Sequence, residues 1–332
     1  MAGQGPRSDT GRDGRAGVIQ IGIDFGGTKI EAAALDADGA FLARMRAPNP
    51  GGYEDAIATI ASLIGRVEAE LGMRGTIGIG APGSVSPRDG LMRNANAVWL
   101  NGRRFREDMT EALGRPVRLA NDANCLALSE VVDGAAAGAA SAFAVIVGTG
   151  VGGGLVVDGR IVEGANGMGG EWGHVPLPWM TKAEAPGPLC WCGRNGCLDM
   201  LVSGTGLRCD HQRRTGERLD GEAIVAAARA GETQAVATLD AYVDRLGRAM
   251  AMVANMIDPD IFVLGGGMSN VDELYERLPG VVAAYAFGGD WRATIVPARW
   301  GDSSGVRGAA RLWSREEAAR AVSDQVGSSA RR

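Results

Sequence analysis

The chain has 332 residues, 45% of them hydrophobic, which allows two domains or one large bilobed unit with a core that needs no staples. A formal net charge of −5 with 22% charged residues announces no nucleic-acid-binding face. Five cysteines, three of them at Cys190, Cys192 and Cys197, and no signal peptide point to a reduced cytoplasmic protein with a metal site rather than a disulfide scaffold.

Residues 1–17 lack an apolar stretch and read as a disordered tail, as do residues 320–332. Val18 to Asp24 is apolar and β-branched and predicts a strand. The turn FGGTK follows, then a second strand at IEAAALD. Asp38–Gly39 signals a hairpin into a third strand at Ala40 to Met45. Tyr53, Ile57, Ile60, Ile64, Val67 and Leu71 step by three and four, a helix stripe. Thr76 to Gly80 and Pro116 to Ala120 predict short strands, the second running into a helix start at Asn121–Asp122.

The uncharged stretch from Gly134 to Val157 is broken by GTGVGGG, so a strand–turn–strand is preferred to a membrane span. With RIVEG after Asp158–Gly159, it repeats the three-strand grammar of the N-terminus. That echo predicts a duplicated two-lobed fold. A second helix stripe runs Val243, Leu246, Met250, Val253, Ile257 and stops before Pro259. The strand Ile261 to Leu264 and the turn Gly265–Gly266–Gly267 come next. GDSSGVRGAARLW supplies a loop and a closing helix.

Several turns carry candidate chemistry. Asp24, Gly26, Gly27, Thr28 and Lys29 bring a carboxylate, close-approach glycines, a hydroxyl and an amine to a strand end. They suit phosphate oxygens, with Asp24 holding Mg²⁺ through water; a plain hairpin is the alternative. Thr149, Gly150, Gly152 and Gly153 form a second such turn. Gly265 to Gly267 suit a nucleoside, or a tight βα turn. Asp122 is either part of a helix cap or a general base for a sugar hydroxyl, expected to stay ionised near the helix N-terminus. His174, Cys190, Cys192 and Cys197 make a Cys₃His set suited to structural Zn²⁺, with buried free cysteines as the alternative. Cys125 and Cys209 read as core or neutral.

IGIDFGGTK, LANDAN, GTGVGGG, GEWGH, CWCGRNGC and LGGGMS together resemble the ROK family (repressor, open reading frame, kinase), from about Val18 to about Trp313. NANAVWLNG, GEWGHVPLPWM and GDSSGVRGAA look most like bacterial fructokinases of the manno(fructo)kinase type. The resemblance implies a duplicated actin-like ATPase fold of α/β type, with a central cleft. A small lobe at 18–135, a large lobe at 136–303 and a closing helix near 304–316 that returns to the small lobe follow from it.

It also implies ATP-dependent phosphorylation of a hexose and a homodimer; from the charge and the broken apolar run, neither nucleic acid nor a membrane is expected as a partner. Asp122 matches the catalytic base. Gly83, Asn96, Asn121, Glu171 and His174 match sugar-contacting positions. Both phosphate turns and the Gly265–Gly267 adenosine loop match too. Where the family usually has a sugar-binding glutamate, this chain has Asp199, one methylene shorter.

Fructose is the leading substrate on this resemblance, with N-acetylhexosamines next and mannose or glucose further alternatives. The family's repressors carry a helix-turn-helix domain, which the glycine-rich residues 1–17 cannot build. A non-catalytic sugar-binding protein would have no use for Asp122, Asp24 and two phosphate turns.

Overall fold

The computed structural model describes residues 18–321. The expected N-terminal tail lies outside the described residues, as does the expected C-terminal one except for Arg320 and Ala321. Those two belong to a helix over 315–321.

The chain enters through an antiparallel meander of β1 (Ile19–Phe25), β2 (Lys29–Leu35) and β3 (Phe41–Pro48). Ile19, Ile21 and Ile23 are fully buried, so β1 sits inside the sheet, whereas β3 exposes much of its length, as an edge strand does. Helix α1 (Tyr53–Leu71) buries Ile60, Leu63, Ile64 and Val67 on one stripe and ends at Gly72, whose φ of 62° is left-handed. It returns the chain to β4 (Gly75–Ala81), parallel to β1. A ribbon of β5 (Ser84–Val85) and β6 (Met92–Arg93) follows, then α2 (Phe105–Leu113) and β7 (Val117–Asn121). The sheet order is β3-β2-β1-β4-β7.

After α3 (Asp122–Asp133) the pattern repeats. Strands β8 (Ser141–Val147), β9 (Val151–Val157) and the two-residue β10 (Arg160–Ile161) are antiparallel. Four helices intervene: α4 (Leu198–Leu201), α5 (Gly204–Thr215), α6 (Gly221–Arg229) and α7 (Thr233–Ile257). Then come β11 (Ile261–Gly265), α8 (Glu273–Tyr285) and β12 (Thr294–Pro297), with β11 and β12 added in parallel. The second sheet reads β10-β9-β8-β11-β12, position for position the order of the first. Helix α7 begins ten residues before the predicted stripe and stops at Asp258, which takes a φ of 49°.

The two halves are joined through α3 and α9 (Ser304–Ala310). Helix α9 lies directly on β1 and β4, where Gly22 and Gly78 put no side chain in its way. Helix α3 packs on α9 and on β8 and β9. Its buried Glu130 accepts from Ser304 Oγ at 2.9 Å and from the Arg299 N–H at 2.9 Å, while Asp133 accepts from Arg307 at 2.9 Å. The C-terminal end is two helices, not the single one expected, because the chain turns at 311–314. Among the described residues, no helix is long and apolar enough to cross a membrane.

Candidate active site

A cleft of about 970 Å³ opens between the two sheets. Its lining brings together Gly83, Asn96, Asn121 and Asp122 with Thr149, Gly150, Gly152 and Gly153 of the second turn. Glu171, His174 and Asp199 join them. Asp24, Gly26, Gly27, Thr28, Lys29 and the Gly265–Gly267 loop stand outside this lining.

Asn121 ends β7 and caps α3. Its Oδ1 accepts the Ala123 N–H at 2.9 Å, and its Nδ2 donates to the Gly83 carbonyl at 3.1 Å, fixing the β4–β5 turn against the cleft. The cap therefore belongs to Asn121, which leaves Asp122 as the first helical residue. Its Oδ1 accepts the same Ala123 N–H at 2.8 Å. Asp122 opens onto the cleft, yet desolvation by the surrounding protein holds its carboxyl above the ordinary range, against the lowering effect of these backbone donors. This corrects the expectation of a readily ionised, weak base: desolvation outweighs the helix end. Burial also raises Glu171, with Asp122 adding to the rise and His174 opposing it.

Asp24, the next-to-last residue of β1, pairs with Gly80 of β4 and faces the start of α9 at Gly305. Burial, then the Asp122 charge, lifts its carboxyl to about 6. So the first turn, although outside the cavity lining, shares its electrostatics with Asp122. That turn is tight: the Gly26 N–H donates to the Lys29 carbonyl at 3.0 Å, and Asn49 Nδ2 donates to the Gly26 carbonyl at 2.8 Å. Gly27, Thr28 and Lys29 are exposed.

In the second turn the reversal itself is Gly148 to Gly150, between β8 and β9. Gly152 and Gly153 lie within β9. A side chain at Gly153 would strike Trp172, whose Nε1 donates to the Gly152 carbonyl at 2.8 Å. Helix and loop packing thus account for part of a glycine run read wholly as phosphate chemistry. Gly266 backs onto this turn. Its φ is 83°, and a Cβ there would sit 2.7 Å from the Val147 carbonyl.

His174, Cys190, Cys192 and Cys197 converge, with their ligand atoms all within 4.8 Å of one another. Cys190 Sγ is 3.6 Å from His174 Nδ1, and Cys192 Sγ is 3.6 Å from Cys197 Sγ. A tetrahedral zinc with bonds near 2.1–2.3 Å sets such atoms about 3.5–3.8 Å apart. The donor set and its spacing fit that ion. Burial and the neighbouring thiols push the Cys197 thiol up to about 12. Cys125 is buried and Cys209 exposed, both away from the cluster. His211 is buried, with its Nδ1 3.2 Å from Thr238 Oγ1.

Sequence reasoning missed several lining residues. Ser84 and Asn124 have buried oxygens, Oγ and Oδ1, without a hydrogen-bond partner, and both line the cleft. Each is adjacent to, or two residues from, a residue already singled out, which was the available signal. Trp191, between two cluster cysteines, also lines it and meets the His174 ring edge-on at 4.7 Å.

Two helix-flanked sheets of one strand order, with a glycine turn and the Asp122 carboxylate on their shared cleft, define the actin-like ATPase fold. The chain belongs to the ROK family, whose pattern matches residues 20–316. It is 41% identical over 297 residues to the N-acetylgalactosamine kinase of Shewanella sp. (strain ANA-3), covering 89% of this chain and 96% of that one. It is 38% identical over 299 residues to the N-acetyl-D-glucosamine kinase of Pectobacterium atrosepticum, covering 89% and 98%. The crystal structure of a ROK hexokinase from Thermus thermophilus matches with a TM-score of 0.78 at 35% identity, covering 88% of this chain and 97% of that one. Family, fold and cleft make the chain an ATP-dependent sugar kinase.

Proposed function

We propose that the chain transfers the γ-phosphoryl group of ATP to the primary hydroxyl of an N-acetylhexosamine. The observation that carries this reading is its likeness, over nearly its whole length, to N-acetylgalactosamine and N-acetylglucosamine kinases. These relatives favour the second sugar reading stated above over fructose.

The cleft supports the chemistry. Asn121, Glu171 and His174, with the Gly83 and Asn96 loops, would hold the sugar's hydroxyls. The unpartnered oxygens of Ser84 and Asn124 would complete their bonds on it. The substrate oxygen attacks the γ-phosphorus as the bond to ADP breaks, and its proton passes to an Asp122 oxygen. Thr149 and Gly150 would receive phosphate oxygens across the cleft. Asp24, Gly26, Gly27, Thr28 and Lys29 would flank the same phosphates, and Gly265 to Gly267 the adenosine. Mg²⁺, held through Asp24, would neutralise charge on the phosphates. Zn²⁺ on His174 and the three cysteines would be structural. With His174 Nδ1 turned to the cluster, Nε2 is the nitrogen left for the sugar.

Two measurements test the reading. In a coupled ADP assay, kcat/KM for N-acetylglucosamine or N-acetylgalactosamine is expected to exceed that for fructose by at least about tenfold. A clear lead for fructose would restore the other substrate. The pH profile tests the carboxylates. Asp122 must be ionised to accept a proton, and Asp24 to hold a cation; both carboxyls lie above their ordinary range. Activity is therefore lost as pH falls through the raised values. The acid limb of kcat/KM is expected near pH 6, where an unshifted pair would place it near about 4. A profile flat down to about pH 5 would contradict these environments.

A further inference from the structure

Asp199 is the sugar-site candidate whose residue type departs from the family resemblance, and its surroundings assign its carboxylate to the phosphate side of the cleft. Its Oδ1 accepts the Val151 N–H at 2.8 Å. A Cβ on Gly150 would lie 2.8 Å from the same oxygen, so the carboxylate rests directly on the Gly148–Val151 turn. Asp199 stands in the first turn of α4, which starts immediately after Cys197 of the Cys/His cluster. The segment is tied to the turn again further on. Ser203 Oγ donates to the Asp199 carbonyl at 2.6 Å, and the Gly204 N–H donates to the Gly148 carbonyl at 2.7 Å.

The shorter side chain explains the geometry. A carboxylate one methylene from the backbone of α4 reaches the neighbouring main chain, and there its acceptor is used by a backbone donor. A side-chain acceptor held against a backbone donor in this way keeps a loop in one conformation. The tip of the turn, Thr149 and Gly150, is exposed, and the Gly148 N–H donates across it to the Gly150 carbonyl at 3.0 Å.

We propose that Asp199 is a positioning residue, holding the Val151 N–H so that the phosphate turn is locked to the helix seeded at the Cys/His cluster. This rests on reading that turn as the one that receives ATP phosphates. Order in the cluster is then transmitted through α4 to the phosphate side as well as through His174 to the sugar side. A donor array pre-set for the transferring group needs no rearrangement during the reaction.

The test combines amide exchange at Val151 with steady-state kinetics of D199A, D199N and G150A. Alanine at 199 removes the acceptor, and asparagine keeps a neutral one. Alanine at 150 crowds the carboxylate away. In D199A and G150A, Val151 exchange is expected to quicken by at least about tenfold, and kcat/KM for ATP to fall about ten- to hundredfold. The KM for sugar is expected to change by less than about threefold, with metal content unchanged. D199N should recover most of both losses, which a role in charge-based sugar binding would not allow.

Wild-type exchange at Val151 in D199A would overturn the proposal. So would a D199N and D199A pair that both raise the KM for sugar about tenfold and leave ATP kinetics untouched. If the wild-type chain phosphorylates no sugar, the kinase reading falls, and the exchange result alone decides the tether.

Discussion

Asp122→Asn is expected to lower kcat by about a hundred- to ten-thousandfold, the usual contribution of a positioned general base. The amide keeps the shape of the side chain and an oxygen to accept the Ala123 N–H, so the start of α3 should be undisturbed. Sugar affinity, measured by calorimetry, should stay within about threefold of wild type if the hydroxyl is still oriented. Stability should not fall. The folded state raises the carboxyl's pKa, so it favours the protonated form and is weakened when the group ionises at neutral pH. Removing the charge therefore leaves Tm equal or higher, the pattern of a residue kept for chemistry at a cost in stability. A variant with wild-type kcat would mean that another group takes the proton.

Cys192→Ser is expected to abolish metal binding and to reduce kcat/KM for the sugar by at least about a hundredfold. Cys192 is the least buried of the three cluster cysteines, so its replacement disturbs little besides the cluster. The consequences reach the cleft because the cluster ligand His174 lies on the short 3₁₀ turn 172–174, next to Glu171. One end of that turn is anchored by Trp172, packed against Phe143 at 5.4 Å between centroids. The other end depends on the cluster. Tm should drop by about 5–10 °C. Strong chelation of the wild-type protein should reproduce both losses. A metal-free variant with wild-type Tm and kinetics would show the four residues to be ordinary core thiols and an imidazole.

The strands and the longest helices were legible because their patterns are local. Ile19, Ile21 and Ile23, or the Ile60–Ile64–Val67 stripe, declare strand and helix without reference to anything distant. The repeated grammar of β1–β3 and β8–β10 showed in the same way. Helix α5 was not legible, since its buried face includes Asp210 and His211. Asp210 is admitted to the interior by Arg245 at 3.1 Å, a partner 35 residues away.

At the site, residue types were legible and environments were not. Nothing at Asn121–Asp122 in the sequence says that the carboxyl, although it opens onto the cleft, is desolvated by the protein around it. Nor does GTGVGGG show that Trp172 needs the space at Gly153. The three stretches that suggested fructose carry, beside the cleft residues Asn96, Glu171 and His174, a good deal of scaffold. Asn101 braces its own loop at Ala95 through bonds of 2.9 and 3.0 Å, the Trp179 carbonyl accepts from Arg248 at 2.9 Å, and Ser304 and Arg307 hold α9 to α3. Residues that keep a shared framework in place say little about which sugar it receives.

The most direct measurement is ³¹P NMR of the wild-type protein with Mg·ATP and N-acetylglucosamine. Loss of the ATP γ-signal should be matched by a phosphomonoester resonance coupled to the sugar's methylene protons. ATP consumed only to inorganic phosphate, or left intact with every N-acetylhexosamine and hexose supplied, would contradict a cleft that joins a sugar hydroxyl to the γ-phosphate.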